Sequence, residues 1–233
     1  MRARFAWTVA SVLTVSLLSA DIASAQQTLN FSIGRFYPRG EDARVEGDVL
    51  VANRDLFLFD VDDFKAVSFG VEYLVPIGEY LEAGAGIGFS SRTVPTIYDE
   101  FVRPDGSEIE QELKLRIVPI TGTVRVLPLG RGNPLQPYVG GGIAVYNWRY
   151  AETGDFIDFS RVNSPVFRES YVATGNTIGP VAVFGLRYGG SSFAVGGELR
   201  YQKAEGELDE RDFLGPKIDL GGFLLSATFG VRF

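Results

Sequence analysis

The chain contains no cysteine and no histidine, and only one methionine and two tryptophans among 233 residues. Without cysteine there is no disulfide, no thiolate nucleophile and no thiolate metal site. Without histidine, acid–base or nucleophilic chemistry that depends on an imidazole is closed, and so are typical zinc and copper sites. Basic residues are outnumbered 22 to 29, and the formal net charge of −7 argues against nucleic acid as a partner. Long apolar runs are also scarce. After Gln26 no run approaches the length of a membrane-spanning helix, so any membrane protein built from this remainder must be a closed barrel.

The apolar run that does exist is at the amino terminus. Arg2 and Arg4 precede Phe5 to Ala20, and Ala23-Ser24-Ala25 supplies a small-x-small pattern before Gln26. This is the anatomy of a cleavable secretory signal, and the sixteen-residue run is short for a spanning helix. Residues 1–25 are therefore expected to be removed, leaving 26–233 as one domain. That remainder carries 28 acidic and 20 basic residues, a net charge of −8.

What is present in quantity is period-two patterning, which sends alternate side chains to opposite faces of a sheet. The last strand alternates without a fault: Phe223, Leu225, Ala227, Phe229, Val231 and Phe233 on one face, with Leu224, Ser226, Thr228, Gly230 and Arg232 on the other. Seven further segments read as strands, at about 29–37, 64–75, 80–93, 113–127, 138–150, 178–188 and 193–203. The fourth changes phase near Pro119, which predicts a bulge or bend. Facing in the fifth and sixth is masked by Gly140-Gly141-Gly142 and Pro180. Connections alternate between long (38–63, 94–112, 151–177 and 204–216) and short (76–79, 128–137 and 189–192). That asymmetry marks a transmembrane barrel with both termini in the periplasm.

One face of these strands is large and apolar, while the other is Gly, Ser and Thr with several charges. The apolar set would overfill the interior of eight strands, so it is expected to meet lipid. Aromatics fall at both strand ends, as interfacial belts do: Tyr73, Tyr80, Tyr138, Tyr188, Phe193 and Phe233 at the turns, and Phe36, Tyr37, Phe89, Trp148, Tyr150 and Tyr201 at the loops.

With its secretory signal, eight amphipathic strands, asymmetric connections and terminal Phe233, the chain resembles the OmpA/OmpX class of small outer-membrane β-barrel proteins. The resemblance covers all of 26–233 and implies an all-β, eight-stranded antiparallel up-and-down barrel in the bacterial cell outer membrane. It also implies that Phe229, Val231 and Phe233 form the signal read by the barrel-insertion machinery during biogenesis. OmpA-type proteins often continue into a periplasmic peptidoglycan-binding domain, and none is expected here.

Charge is segregated. The four long connections hold 23 acidic and seven basic residues, a net −16. Arg35, Lys65, Arg92, Lys114, Arg116, Arg149, Lys203 and Lys217 fall at loop-side strand ends, predicting a basic collar beneath an acidic crown. At that height a collar faces outer-membrane lipid and the phosphates of lipopolysaccharide, although generic snorkelling of long cationic chains predicts the same placement. A second constellation shares the small-residue face: Glu72, Glu82, Arg125, Arg187, Glu198, Arg200 and Arg232. In a narrow lumen these must pair, as a structural plug or as the gate of a narrow porin-like channel.

No catalytic residue, metal site or cofactor is expected. Asp60-Val61-Asp62-Asp63 and the acids of 205–212 offer only oxygen ligands, without calcium-loop spacing. Leu56-Phe57-Leu58-Phe59 reads as an upward extension of strand two, or as an adhesive patch. The sequence favours a monomeric barrel with a membrane-integrity or surface-interaction role and no catalysis; the alternative is a narrow channel for ions or small solutes.

Overall fold

A computed structural model describes residues 26–161 and 163–233; the expected signal, 1–25, lies outside the described residues. In chain order the strands are β1 (Thr28–Pro38), β2 (Ala66–Ile77), β3 (Leu81–Val102), β4 (Glu108–Val126), β5 (Leu135–Ile157), β6 (Val166–Gly189), β7 (Phe193–Gln202), β8 (Glu205–Glu207), β9 (Lys217–Asp219) and β10 (Gly222–Arg232). Strands β1 to β7 and β10 form a closed antiparallel barrel, each paired with its sequence neighbour in that set. It closes where β1 meets β10, from Thr28 opposite Arg232 to Pro38 opposite Gly222. Strands β8 and β9 make a separate two-stranded ribbon in the last long connection. Among the described residues no helix is long and apolar enough to cross a membrane.

The tight turns behave as expected; Gly78, between β2 and β3, sits at φ +73°, a conformation that favours glycine. The long connections do not. Strands β5 and β6 run for 23 and 24 residues, more than twice the roughly 9–11 that a tilted strand needs to cross a bilayer. Most of 94–112 and 151–177, expected as loop, is therefore strand projecting beyond the membrane.

The bulge expected near Pro119 is absent. The β3–β4 register is the same on both sides of that residue, with Ile87 opposite Ile120 and Ser90 opposite Ile117. What changes there is the polarity of the two faces. Below Pro119 in β4, Ile120, Val124 and Val126 point outward and are exposed, while Thr121, Thr123 and Arg125 point inward and are buried. Above it, Glu108, Glu110, Glu112 and Lys114 point outward, while Ile109, Leu113, Leu115 and Ile117 are buried inside. The apparent phase shift is the point at which the strand leaves hydrocarbon for water.

The apolar core consequently sits in the projecting half. Leu113, Leu115 and Ile117 of β4 meet Ala144, Tyr146, Trp148 and Tyr150 of β5, with Phe36 from β1. Into this mouth fold Val49 and Leu50 of a short helix α1 (Val49–Asn53), Phe64, and Leu208, Phe213, Ile218 and Leu220 around the ribbon. Asp48 caps α1 through the backbone N–H of Leu50 at 3.0 Å and ties it to the ribbon by accepting from the N–H of Asp219 at 2.6 Å. Arg44 pairs with Asp48 at 2.7 Å and donates to the carbonyl of Asp219 at 2.9 Å, locking the first connection to the last. Phe36, Tyr138, Trp148 and Tyr150, expected in the interfacial belts, all point inward and are buried. Tyr73, Tyr80, Phe89, Tyr188, Phe193 and Phe233 do lie on the exposed outer face.

The Leu56–Phe59 segment also departs from expectation. It does not extend β2, because a 3-10 turn at Val61–Phe64 intervenes. Instead it bridges to the projecting part of β3, through the N–H of Leu58 to the carbonyl of Ile97 and the N–H of Asp99 to the carbonyl of Leu56, both at 2.9 Å. Phe57 is buried against Tyr98, and Leu58 stays exposed.

Candidate functional site

The lumen charges converge within the membrane half. Arg125, on β4, is 1% exposed and stands at the centre. It pairs with Glu72 of β2 and with Glu198 of β7 at 3.0 Å, and lies 4.0 Å from Glu82 of β3. Arg187 of β6 holds Glu82 at 2.7 Å; Arg200 of β7 holds Glu198 at 2.8 Å and Glu72 at 3.5 Å. Three carboxylates thus meet three guanidinium groups, drawn from five strands. Arg232, also expected here, sits lower, at the tight-turn end of the barrel, donating to Gln136 at 2.8 Å and to the carbonyl of Gly190 at 2.7 Å.

Two members of the network escaped the sequence reading. The Tyr138 hydroxyl donates to Glu198 at 2.9 Å, and its ring lies 4.8 Å beneath the Arg125 guanidinium. Gln136 accepts from Arg187 at 2.9 Å as well as from Arg232. The usable signal was parity: carrying the even positions of β5 down from Trp148 through the glycines puts Tyr138 and Gln136 inside. The glycines supply the room. A Cβ at Gly185 would collide with the Tyr138 ring, and one at Gly84 would stand 2.8 Å from the Glu72 carboxylate.

The expected basic collar divides. Arg35, Arg149 and Lys203 point outward and are exposed, and Lys114 and Arg116 share that outward face on β4. Lys65 leads into β2 and pairs with Asp62 at 2.6 Å. Arg92 falls on the inward parity and donates to the carbonyl of Asp63 at 2.8 Å. Lys217 is not on a barrel strand; it belongs to β9 and lies 3.6 Å from Glu205. The densest part is on β4 and β5, where Arg116 lies directly opposite Arg149, with Lys114 opposite Ala151 one step above. Like charges opposed across strands are destabilising. Neither arginine has an acidic partner among the described ion pairs, and Arg116 Nε is buried without a hydrogen-bond partner.

In the projecting half, Glu152 is buried where β5 faces α1. Its Oε1 accepts from Asn53 Nδ2 at 2.7 Å and from the Tyr150 hydroxyl at 2.9 Å. Burial raises its carboxyl above the ordinary range, opposed in part by those two hydrogen bonds. The oxygen-rich segments at 60–63 and 205–212 form no metal-binding cluster among the described residues. Phe229, Val231 and Phe233 lie on the outward parity of β10, where Phe229 stacks on Phe193 at 5.8 Å.

No protein-family model matches the sequence, and no curated protein matches it significantly. Solved structures do match. The outer membrane protein OprG from Pseudomonas aeruginosa aligns over 90% of this chain and 96% of its own, with 11% identity and a TM-score of 0.50. Neisserial surface protein A aligns over 90% and 98%, with 11% identity and a TM-score of 0.49. Ail, the attachment invasion locus protein of Yersinia pestis, aligns over 90% and 99%, with 10% identity and a TM-score of 0.46. At such identities the likeness is one of fold. The chain has the fold of the small bacterial outer-membrane β-barrels of the OmpA/OmpX-like class, with eight strands and its apolar outer belt turned to lipid.

Proposed function

We propose that the protein is a closed, non-catalytic barrel that reinforces the outer leaflet of the bacterial outer membrane and presents a rigid acidic cap to the exterior. The observation that carries this reading is a lumen obstructed at two heights by unlike means. Low in the barrel, Arg125 is clamped among Glu72, Glu82 and Glu198. Above it, Trp148, Tyr146, Leu50 and Phe64 pack an apolar plug. A conducting path would require breaking a buried ion network and opening a hydrophobic core together. Each costs several kcal/mol.

The outward cations fit the same role. Arg116, Arg149 and Lys114 stand just above the exposed belt of Ile120, Val145 and Ile178. That is the height of lipid headgroups, and phosphates of lipopolysaccharide would relieve the Arg116–Arg149 repulsion. The deciding experiment is conductance of the refolded protein in a planar bilayer of demonstrated insertion. Silence at every salt concentration is expected, and steady openings that scale with salt would replace the plug with a channel.

A further inference from the structure

The outer half contains a cleft that neither the plug nor the collar explains. It has a volume of about 230 Å³ and opens at the far end, between the β3 and β5–β6 projections and the last connection. Its walls are two arcs of aromatic rings in edge contact. In one, Tyr98 meets Phe159 at 6.5 Å; in the other, Phe156 meets Tyr171 at 5.2 Å and Tyr171 meets Phe213 at 6.5 Å. Glu152 lines the same cleft, although the residue is only 4% exposed.

The chemistry of that carboxylate is one-sided. Both donors within reach, Asn53 Nδ2 and the Tyr150 hydroxyl, serve Oε1, and no described residue donates to Oε2. No cation pairs with Glu152 among the described residues. Acceptors are in surplus around it, since Asn53 Oδ1 is buried without a partner. Burial holds the Tyr98 hydroxyl above its ordinary range, opposed by the Ile157 N–H that it accepts and reinforced by Glu152; at Tyr171 burial is followed by Glu169, Asp212 and then Glu152, all acting in the same direction. At the rim Glu210 and Asp212 add negative charge, and the one rim cation among the described residues, Arg211, turns to Asp209 at 2.5 Å. Buried polar groups are normally satisfied, and an unpaired carboxylate oxygen between aromatic faces is complementary to a cation that can also donate a hydrogen bond.

We infer that this cleft binds a small organic ammonium ion with an aromatic or apolar body. The ammonium would donate to Glu152 Oε2 and the body would lie between the Tyr98–Phe159 and Tyr171–Phe213 walls. The acidic exterior would concentrate such cations at the mouth. This goes beyond the closed-barrel reading and does not depend on it, because an ammonium ion seated in this cleft needs no path through the lumen.

The test is calorimetric titration of the refolded protein in nonionic maltoside micelles, which present no headgroup amine or phosphate. The probes are 2-phenylethylammonium and its neutral analogue 2-phenylethanol. A charge-assisted hydrogen bond predicts that the ammonium binds about tenfold or more tightly than the alcohol. Glu152→Gln keeps an acceptor for Asn53 and Tyr150 and should abolish that preference. Tyr171→Leu with Phe159→Leu leaves the carboxylate in place and should weaken the ammonium about threefold or more by removing the π faces. The two variants fail independently if folding is the problem, and circular dichroism of each reports folding directly. Equal affinity for both probes, an ammonium affinity unchanged in folded Glu152→Gln, or no saturable binding at millimolar concentration would each overturn the assignment.

Discussion

Strand β4 is two different strands joined at Pro119, and comparing its halves explains the architecture. The membrane half is apolar outside and polar inside; the projecting half is charged outside and apolar inside. Register and parity run unbroken through Pro119 itself, and the β3–β4 register shifts only far out in the projecting half, between Ile97 and Val102. Only the solvent differs. Hydrocarbon rewards Ile120 and Val124 for facing out, and water rewards Leu113 and Leu115 for facing in. The halves are therefore filled by opposite chemistries, a paired charge network below and a hydrophobic core above.

The largest break in that comparison should come from Arg125→Leu. It leaves three buried carboxylates with only Arg187 and Arg200 to pair them and should cost about 3–5 kcal/mol in urea unfolding from micelles. A loss below about 1 kcal/mol would mean that water already solvates those carboxylates. Trp148→Ala acts on the upper filling, at about 3–5 kcal/mol for a buried tryptophan. Its damage should stay local: hydrogen exchange should rise in α1 and the β8–β9 ribbon and remain slow in the membrane half of β2. Acceleration in both regions would show that the two halves unfold as one unit.

The outer faces can be compared by exchanging their chemistry. Ile120→Lys places a charge in hydrocarbon and should cost about 2–4 kcal/mol, whereas Lys114→Ile, only six positions away, should stay within about 0.5 kcal/mol. Equal costs would move the membrane boundary away from Pro119. The smallest effect concerns pH. Because burial raises the Glu152 carboxyl in the folded state, the folded cap holds its proton more tightly than the unfolded chain does. The contribution of Glu152 to the cap should be fully present below the ordinary carboxylate range and be lost as pH rises from there through the raised value. Hydrogen exchange of β5 amides against pH should follow this slope in the native protein and flatten in Glu152→Gln.

Much of the barrel was legible in the residues because a period of two needs no tertiary information. The faultless alternation of Phe223 to Phe233, the parity of Glu72, Glu82 and Glu198, and the tight turns all follow from one strand at a time. The reading failed wherever facing depended on height above the membrane. Trp148 and Tyr150 looked like belt residues, and Pro119 looked like a bulge, because an apolar side chain near a strand end suits either lipid or a core. Lys217 was misplaced for a related reason: a three-residue ribbon strand is too short to announce itself.

The sequence by itself determined the strands, their alternation and the inward charges, since each is a local pattern repeated along the chain. Tertiary structure alone decided how far the strands project, that the first and last connections fold into the mouth through Arg44, Asp48 and Asp219, and that Glu152 ends up buried between aromatic walls. Those outcomes rest on contacts between residues far apart in the chain, such as Asp48 with Asp219 at 171 positions and Asn53 with Glu152 at 99. No periodicity encodes such a meeting. It exists only once the closed barrel has brought the connections over one opening, where burying their apolar residues outweighs leaving them in water.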